Sequence, residues 1–212
     1  MTSVDLLIFD LDGTLVDSQQ DLTNAVNFAR KELGYPELDV ATVTRYVGDG
    51  VHKLLERSIP DAEAVERALA LFRDHYSRHA LDFTRPYPGV HEMLHHFRNK
   101  KMAVLSNKPA GFTRSILEGL NLAPFFEMIL GGDSADALKP DPAPVLHILK
   151  QMKVDAGRAV MIGDGPTDIQ AAKNAGILSC AVTYGLRDRK TLAAEEPDFI
   201  IDQVSELCPL FV

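Results

Sequence analysis

The sequence has little cysteine, no tryptophan and no excess of positive charge. Its two cysteines, Cys180 and Cys208, are far apart and outside any Cys-x-x-Cys pattern, so neither a disulfide framework nor a thiolate zinc site is predicted. The formal net charge of −8 disfavours nucleic acid and anionic membranes as partners, because both repel an acidic surface. A small phosphorylated metabolite stays possible as a partner, because local positive groups and a metal set the field inside a pocket.

Long apolar runs are also absent. No stretch approaches the roughly 20 apolar residues that a membrane-spanning helix needs, and the first residues lack the basic and apolar segments of a signal peptide. We therefore expect a cytoplasmic protein, either a monomer or a homodimer. The 212 residues, 46% of them apolar, suffice for a core domain that carries a smaller inserted one.

The apolar pattern predicts an α/β fold. A buried strand is expected over 4–9, and beyond residue 85 strands alternate with helices. The later predicted strands are 102–105, 128–130, 159–162, 179–182 and 199–201, and the helices between them include 109–120, 142–152 and 167–175. Short connections between alternating strands and helices predict a parallel sheet covered on both faces, which is a Rossmann-like core.

The segment that follows the first strand differs from the rest of the chain. Leu22, Val26 and Ala29 fall on one helical face, and no strand signal occurs between residues 17 and 83. We therefore predict a catalytic core of residues 1–16 and 85–212 and an all-helical inserted domain of residues 17–84. Insertions at the carboxyl ends of parallel strands lie over the ligand crevice, so this insertion is a candidate cap.

Polar clusters follow four of the predicted strands. They are Asp10-Leu11-Asp12-Gly13-Thr14, Ser106-Asn107-Lys108, Lys139-Pro140 and the segment from Asp164 to Asp168. They should converge on one edge of the sheet, where the carboxylates would repel each other unless a cation such as Mg²⁺ neutralised them. Lys139 and the Ser106 hydroxyl can hold phosphoryl oxygens, and Asp10 and Asp12 point in different directions, so one can attack phosphorus while the other handles protons.

This set of motifs resembles the haloacid dehalogenase superfamily over the whole chain. Phe9-Asp10-Leu11-Asp12-Gly13-Thr14-Leu15 is similar to its first motif, Ser106 to its second, Lys139 to its third, and Asp164 with Asp168 to its fourth. The resemblance implies that Asp10 is the nucleophile and Asp12 the acid/base. It also implies a Mg²⁺ cofactor held by Asp10, Asp164 and the backbone carbonyl of Asp12. Asp168 belongs to the same site, where it orients metal-bound water or Lys139.

Within the superfamily, phosphoglycolate phosphatases are the most similar group. The likeness rests on Tyr46-Val47-Gly48-Asp49-Gly50, Ser106-Asn107-Lys108-Pro109 and Lys139-Pro140-Asp141-Pro142. It implies hydrolysis of small phosphate monoesters, with 2-phosphoglycolate as the best candidate. The predicted substrate-binding residues are Gly13, Thr14 and Asn107 in the core and Arg45, His52 and Lys53 in the insertion. One departure is Gly165, where many relatives have serine, so a side-chain hydrogen bond near the metal is expected to be missing or replaced.

Several alternatives stay open. A phosphatase of the same fold that acts on pyrophosphate, a nucleotide or a sugar phosphate is the nearest. A phosphosugar mutase is disfavoured by Val51, where known mutases carry arginine, and a dehalogenase is disfavoured by Asp12. A binding protein without turnover is disfavoured by the complete set of catalytic residues. His91-Glu92-Met93-Leu94-His95 matches the HExxH zinc-protease pattern, but these histidines are expected to face solvent.

Overall fold

The computed structural model describes residues 2–134 and 137–212. The strands are β1 (Leu6–Phe9), β2 (Val16–Asp17), β3 (Arg85–Pro86), β4 (Lys101–Leu105), β5 (Met128–Leu130), β6 (Ala159–Gly163), β7 (Leu178–Val182) and β8 (Phe199–Ile201). The helices are α1 (Gln19–Glu32), α2 (Val40–Tyr46), α3 (Val51–Ser58), α4 (Val65–His79), α5 (Val90–His96), α6 (Ala110–Gly119), α7 (Ala143–Met152), α8 (Pro166–Ala175), α9 (Arg189–Ala193) and α10 (Leu207–Leu210).

A six-stranded parallel sheet forms the centre of the fold, in the order β5-β4-β1-β6-β7-β8. Strand β1 is buried on both faces: Leu7 and Phe9 join one apolar cluster, and Leu6 and Ile8 join the other. This arrangement follows from the alternation of side chains along a strand. Helices cover both faces, as a parallel sheet requires. The predicted α/β fold with a parallel-sheet core is therefore confirmed.

Helices α1 to α4 lie in the chain between β2 and β3, which pair with each other as a short antiparallel ladder. Buried Asp21, on α1, connects the beginning of this helical segment to its end. Its carboxylate accepts hydrogen bonds from the backbone N–H groups of Phe83 and Thr84 and from the Thr84 hydroxyl, at 2.7–3.1 Å. The two points at which the helical segment joins the core are therefore held side by side.

The register of the sheet aligns the ends of three strands. Phe9 of β1 lies opposite Val104 of β4 on one side and Ile162 of β6 on the other. The polar residues that follow these strands therefore reach the same edge. Because β1 is flanked by strands that come later in the chain on both sides, this edge is the crevice in which ligands of open α/β sheets bind.

The predicted strands and helices of the second half of the chain are all present, with small shifts at their ends. The HExxH segment lies on α5, where Val90, Met93 and Leu94 are buried and His91 and His95 are exposed, as expected. None of the helices in the described part of the chain is both long and apolar enough to cross a lipid bilayer.

Candidate active site

A cavity of about 330 Å³ lies between the carboxyl edge of the sheet and the helical segment. The core residues of the predicted clusters that line it are Asp10, Asp12, Ser106, Asn107, Lys108 and the segment from Asp164 to Asp168. The helical segment contributes Arg45, the turn at residues 47–50, and part of α3. The structure thus brings the first, second and fourth clusters together beneath the inserted helices.

Three carboxylates form a group that can hold a metal ion. Asp10, Asp164 and Asp168 each offer an oxygen, and these oxygens all lie within 4.8 Å of one another. Burial, together with the charges of Asp10 and Asp168, raises the pKa of Asp164 to about 8. Such a cluster requires a compensating positive charge. An all-oxygen set of donors suits a hard divalent cation such as Mg²⁺, so the residues fit the predicted metal.

Two residues predicted to bind substrate are placed against Asp164 instead of along the cavity wall. Gly13 has a φ of +82°, and a Cβ at this position would overlap the Asp164 carboxylate. The Thr14 hydroxyl donates to Asp164 Oδ1 at 3.2 Å, and the Leu186 N–H donates to Oδ2 at 2.7 Å. In this structure Gly13 and Thr14 therefore position Asp164, one of the three clustered carboxylates.

Lys139 lies behind Asp10 and is almost completely buried, with 1% of its side chain exposed. Its ammonium group lies 2.6 Å from Asp168 Oδ1 and 3.0 Å from Asp10 Oδ1, and it donates to the Leu105 carbonyl at 2.7 Å. Burial opposes the charge of Lys139, but the two carboxylates outweigh this effect and raise its pKa. Lys139 therefore neutralises Asp10 from the side opposite the cavity.

Asp12 has different partners from Asp10. Its carboxylate accepts hydrogen bonds from the Lys108 ammonium, at 2.7 Å on Oδ1 and 2.8 Å on Oδ2, and from the Ser18 hydroxyl at 2.5 Å. Both oxygens of the Asp12 carboxylate are thus hydrogen-bonded within the protein, and the carboxylate is not part of the group formed by Asp10, Asp164 and Asp168. The backbone carbonyl therefore remains the metal-ligand candidate of Asp12. Nothing in the sequence pattern predicts the contact with Lys108, because the two residues are 96 positions apart.

The second cluster connects the core to the turn that precedes α3. The Asn107 amide donates to the carbonyls of Gly48 and Lys139, both at 3.0 Å, and accepts from the Lys139 N–H at 2.9 Å. Buried Ser106 lines the cavity beside it. In the fourth cluster the Gly165 N–H donates to Asp168 Oδ2 at 3.0 Å. A serine at this position would make the same backbone bond, so this bond does not replace the missing side-chain hydrogen bond.

The insertion residues that were predicted to bind substrate separate into two groups. Arg45 lines the cavity and hydrogen-bonds the Thr42 hydroxyl at 3.0 Å. No carboxylate in the described part of the chain forms an ion pair with Arg45. His52 and Lys53 are exposed and pair with Glu56 at 3.0 and 2.6 Å, away from the cavity. The structure therefore does not support substrate contacts by His52 and Lys53, because α3 turns them outward when its apolar face packs inward.

Two further arginines line the cavity and were missed by the sequence analysis. Arg57 forms an ion pair with Asp49 at 2.5 Å. Arg187 donates to the backbone carbonyls of Thr44 and Arg45, at 3.0 and 3.3 Å, and holds the end of α2 against the core. The contact between Arg187 and Thr44 joins residues 143 positions apart, and no local pattern indicates such a contact.

Known proteins resemble this chain in sequence and in fold. Residues 7–182 match the model of the haloacid dehalogenase-like hydrolase family. The phosphoglycolate phosphatase of Pseudomonas savastanoi pv. phaseolicola is 38% identical, over 96% of this chain and 78% of its own length. That of Aquifex aeolicus is 37% identical, over 97% and 95% of the two chains. A crystal structure described as a predicted phosphoglycolate phosphatase from Haemophilus somnus has a TM-score of 0.94 and 29% identity, covering 99% of both chains.

The predicted superfamily and the enzyme class, a phosphoric monoester hydrolase, are confirmed by these relatives. The matched region includes the first, second, third and fourth motifs, because all of them lie between residues 7 and 182. The chain belongs to the haloacid dehalogenase-like hydrolase family.

Proposed function

We propose that the protein is a Mg²⁺-dependent phosphatase of small phosphate monoesters and that 2-phosphoglycolate is its substrate. The observation that supports this most directly is the placement of Asp10. Its carboxylate lines the cavity, shares a metal-sized arrangement with Asp164 and Asp168, and contacts buried Lys139. A phosphate group in the cavity would meet a nucleophile whose negative charge is balanced from two sides. The choice of substrate follows the names of the relatives.

The residues that would hold Mg²⁺ are Asp10 and Asp164, together with the backbone carbonyl of Asp12, and Asp168 lies beside them. When bound, Mg²⁺ supplies positive charge that neutralises these carboxylates and the oxygens of the transferring phosphoryl group. The Ser106 hydroxyl lines the cavity and can hydrogen-bond that group, while Lys139 adds positive charge through its contact with Asp10.

The proposed reaction has two steps. In the first, Asp12 enters protonated, an oxygen of Asp10 attacks phosphorus, the bond from phosphorus to the leaving oxygen breaks, and Asp12 gives its proton to that oxygen and becomes a carboxylate. In the second, a water oxygen attacks phosphorus while Asp12 takes a proton from the water, and the bond between Asp10 and phosphorus breaks. One monoester and one water molecule thereby yield one alcohol and one phosphate, and both aspartates return to their starting states.

We further propose that residues 17–84 act as a cap that selects the leaving group. The core holds the phosphate, which all monoesters share, so discrimination between them has to come from the residues that cover the leaving group. Arg45 and the turn at residues 47–50 lie on that side of the cavity. Asn107 and Arg187 bind the backbone of the same region from the core, which fixes its position over the site.

Removal of divalent metal is expected to abolish phosphate release from 2-phosphoglycolate, and Mg²⁺ is expected to restore it. Ca²⁺ should bind but support little turnover, because its larger and looser coordination shell misplaces the nucleophile and the phosphate. Phosphate release can be followed during titration of EDTA-treated protein with each ion. Mg²⁺ at 100 times its Kd should also raise the free energy of unfolding by about 2.7 kcal/mol. Undiminished turnover in excess chelator would contradict the proposed cofactor.

Arg45→Gln is expected to raise KM for 2-phosphoglycolate roughly 10-fold relative to KM for p-nitrophenyl phosphate. A carboxylate enclosed under the cap needs a cationic partner, because burying it unpaired is costly. A charge-assisted hydrogen bond of about 1.5 kcal/mol corresponds to this 10-fold change. Steady-state kinetics with both substrates provide the ratio.

The matched control for this variant is Lys53→Gln, which removes the same charge from a residue that pairs with Glu56 outside the cavity. It should leave the ratio of the two KM values unchanged. If Arg45→Gln also leaves the ratio unchanged, Arg45 does not bind a substrate carboxylate. A panel of phosphorylated metabolites would then show whether the substrate contains a carboxylate.

A further inference from the structure

Lys108 places a buried ammonium group against the carboxylate of Asp12. Only 6% of the Lys108 side chain and 10% of the Asp12 side chain are exposed. An ammonium group has three N–H donors. Two of them go to Asp12 Oδ1 and Oδ2, at 2.7 and 2.8 Å, and the third to the Tyr76 hydroxyl, at 2.9 Å. Lys108 therefore has no donor left for a substrate unless it gives up one of these contacts.

The contacts at Asp12 distinguish its two oxygens. A carboxylate oxygen can accept about two hydrogen bonds. Oδ1 accepts from both Ser18 and Lys108, whereas Oδ2 accepts from Lys108 alone among the described residues. Asp12 lines the cavity, so the remaining acceptor position on Oδ2 is the one suited to proton exchange with a bound ligand. Lys108 and Ser18 together fix the rotation of the carboxylate that presents this oxygen.

The position of Lys108 depends in turn on the helical segment. Tyr76 belongs to α4 and is completely buried. Its ring stacks on Phe72 with centroids 5.2 Å apart and meets Phe112 of α6 edge-on at 5.1 Å. The Lys108 ammonium also lies 4.9 Å from the centre of the Tyr76 ring, which is within the range of a cation–π interaction. A residue of the inserted segment thus contacts the core lysine that holds Asp12.

We propose that Lys108 is a positioning residue for proton transfer by Asp12, and that Tyr76 fixes Lys108 from the inserted segment. The inference rests on the proposed function, because it assigns a role within that reaction. Lys108 exchanges no proton itself. It keeps Oδ2 of Asp12 directed at the leaving oxygen, and this orientation exists only when α4 lies against the core.

The inference is tested by measuring how the effects of the Lys108→Met and Tyr76→Phe substitutions on kcat/KM depend on the leaving group of the substrate. An alkoxide needs a proton in order to leave, whereas p-nitrophenolate leaves as a stable anion. The kcat/KM value covers the steps up to departure of the leaving group. Three substrates are compared: 2-phosphoglycolate, an alkyl phosphate without a carboxylate, and p-nitrophenyl phosphate. Asp12→Asn provides the reference pattern for loss of proton transfer.

Lys108→Met is expected to lower kcat/KM roughly 100-fold for both alkyl substrates and less than about 10-fold for p-nitrophenyl phosphate, since general acid catalysis contributes at least roughly 100-fold. Tyr76→Phe should also lower kcat/KM more for the two alkyl substrates than for p-nitrophenyl phosphate, but by smaller factors than Lys108→Met. It removes only a hydroxyl group, so it keeps the test decisive if Lys108→Met does not fold. Tyr35→Phe, which removes a hydroxyl group elsewhere in the inserted segment, should change none of the three values.

The alkyl phosphate without a carboxylate separates proton transfer from substrate binding. A loss restricted to 2-phosphoglycolate would mean that Lys108 binds the carboxylate, and it would overturn the inference. Equal losses on all three substrates, in both variants, would indicate a structural role only and would also overturn it, while leaving the proposed phosphatase function intact. A wild-type protein inactive on all three substrates would overturn the proposed function and the inference together.

Discussion

Asp10→Asn is expected to reduce phosphate release by at least roughly a thousandfold, about 4 kcal/mol in activation free energy, while the protein stays folded. An amide has nearly the same size and shape as a carboxylate but is a poor nucleophile, so the first step of the proposed reaction cannot begin. The substitution also removes one of the three negative charges of the carboxylate group, and this relieves the repulsion that Asp10 exerts on Asp164 and Asp168. The loss of activity should therefore not be accompanied by a loss of stability.

The measurement combines steady-state phosphate release with mass spectrometry of acid-quenched protein. Wild-type protein should carry one phosphoryl group on the peptide that contains Asp10, and Asp10→Asn should carry none. Asp17→Asn is the matched control, because Asp17 is an exposed carboxylate of the same region that hydrogen-bonds Gln19. A folded Asp10→Asn protein that retains more than a small residual rate would exclude the covalent mechanism.

The fold could be predicted largely because parallel strands buried on both faces leave a clear pattern. Leu6, Leu7, Ile8 and Phe9 form a continuous apolar run, and each of them lies in one of the two apolar clusters. The convergence of the polar clusters could be predicted for the same reason, since strands that run in one direction end at one edge. Short elements such as α9 and α10 contain too few residues to show a periodicity and were not predicted.

The side-chain contacts of the site could not be predicted in the same way. The sequence indicates that the insertion is helical, but the face of each helix that turns towards a cavity depends on how several helices pack together. In α3 the buried residues are Leu54, Leu55 and Ser58, so Lys53 is directed into solvent, although it lies close in sequence to the turn above the cavity. The contacts of Lys108 could not be predicted for a related reason, because its partners Asp12 and Tyr76 come from two distant parts of the chain.

Lys139→Met is expected to lower the free energy of unfolding by about 3–5 kcal/mol in metal-free protein, in addition to abolishing turnover. The ammonium group is buried between Asp10 and Asp168, at 3.0 and 2.6 Å. Removing one partner from a buried ion pair leaves an uncompensated charge in a poorly solvating environment. Urea denaturation at neutral pH in the presence of EDTA measures the loss. Lys150→Met, at an exposed position on α7, is the control and should change stability by less than about 0.5 kcal/mol.

Mg²⁺ should stabilise Lys139→Met more than it stabilises the wild type. Without the lysine, Asp10 and Asp168 have lost their cation, and a divalent ion held by Asp10 and Asp164 would supply positive charge beside them. Repeating the denaturation at saturating Mg²⁺ should therefore recover part of the lost free energy of unfolding. Turnover should stay absent, because no lysine neutralises the charge of the nucleophile Asp10.

If Lys139→Met loses no more stability than Lys150→Met in EDTA, the buried carboxylates do not need this cation in the folded protein. The metal cluster and the lysine would then have to be treated as energetically independent, and the two-sided neutralisation of Asp10 would no longer explain its reactivity.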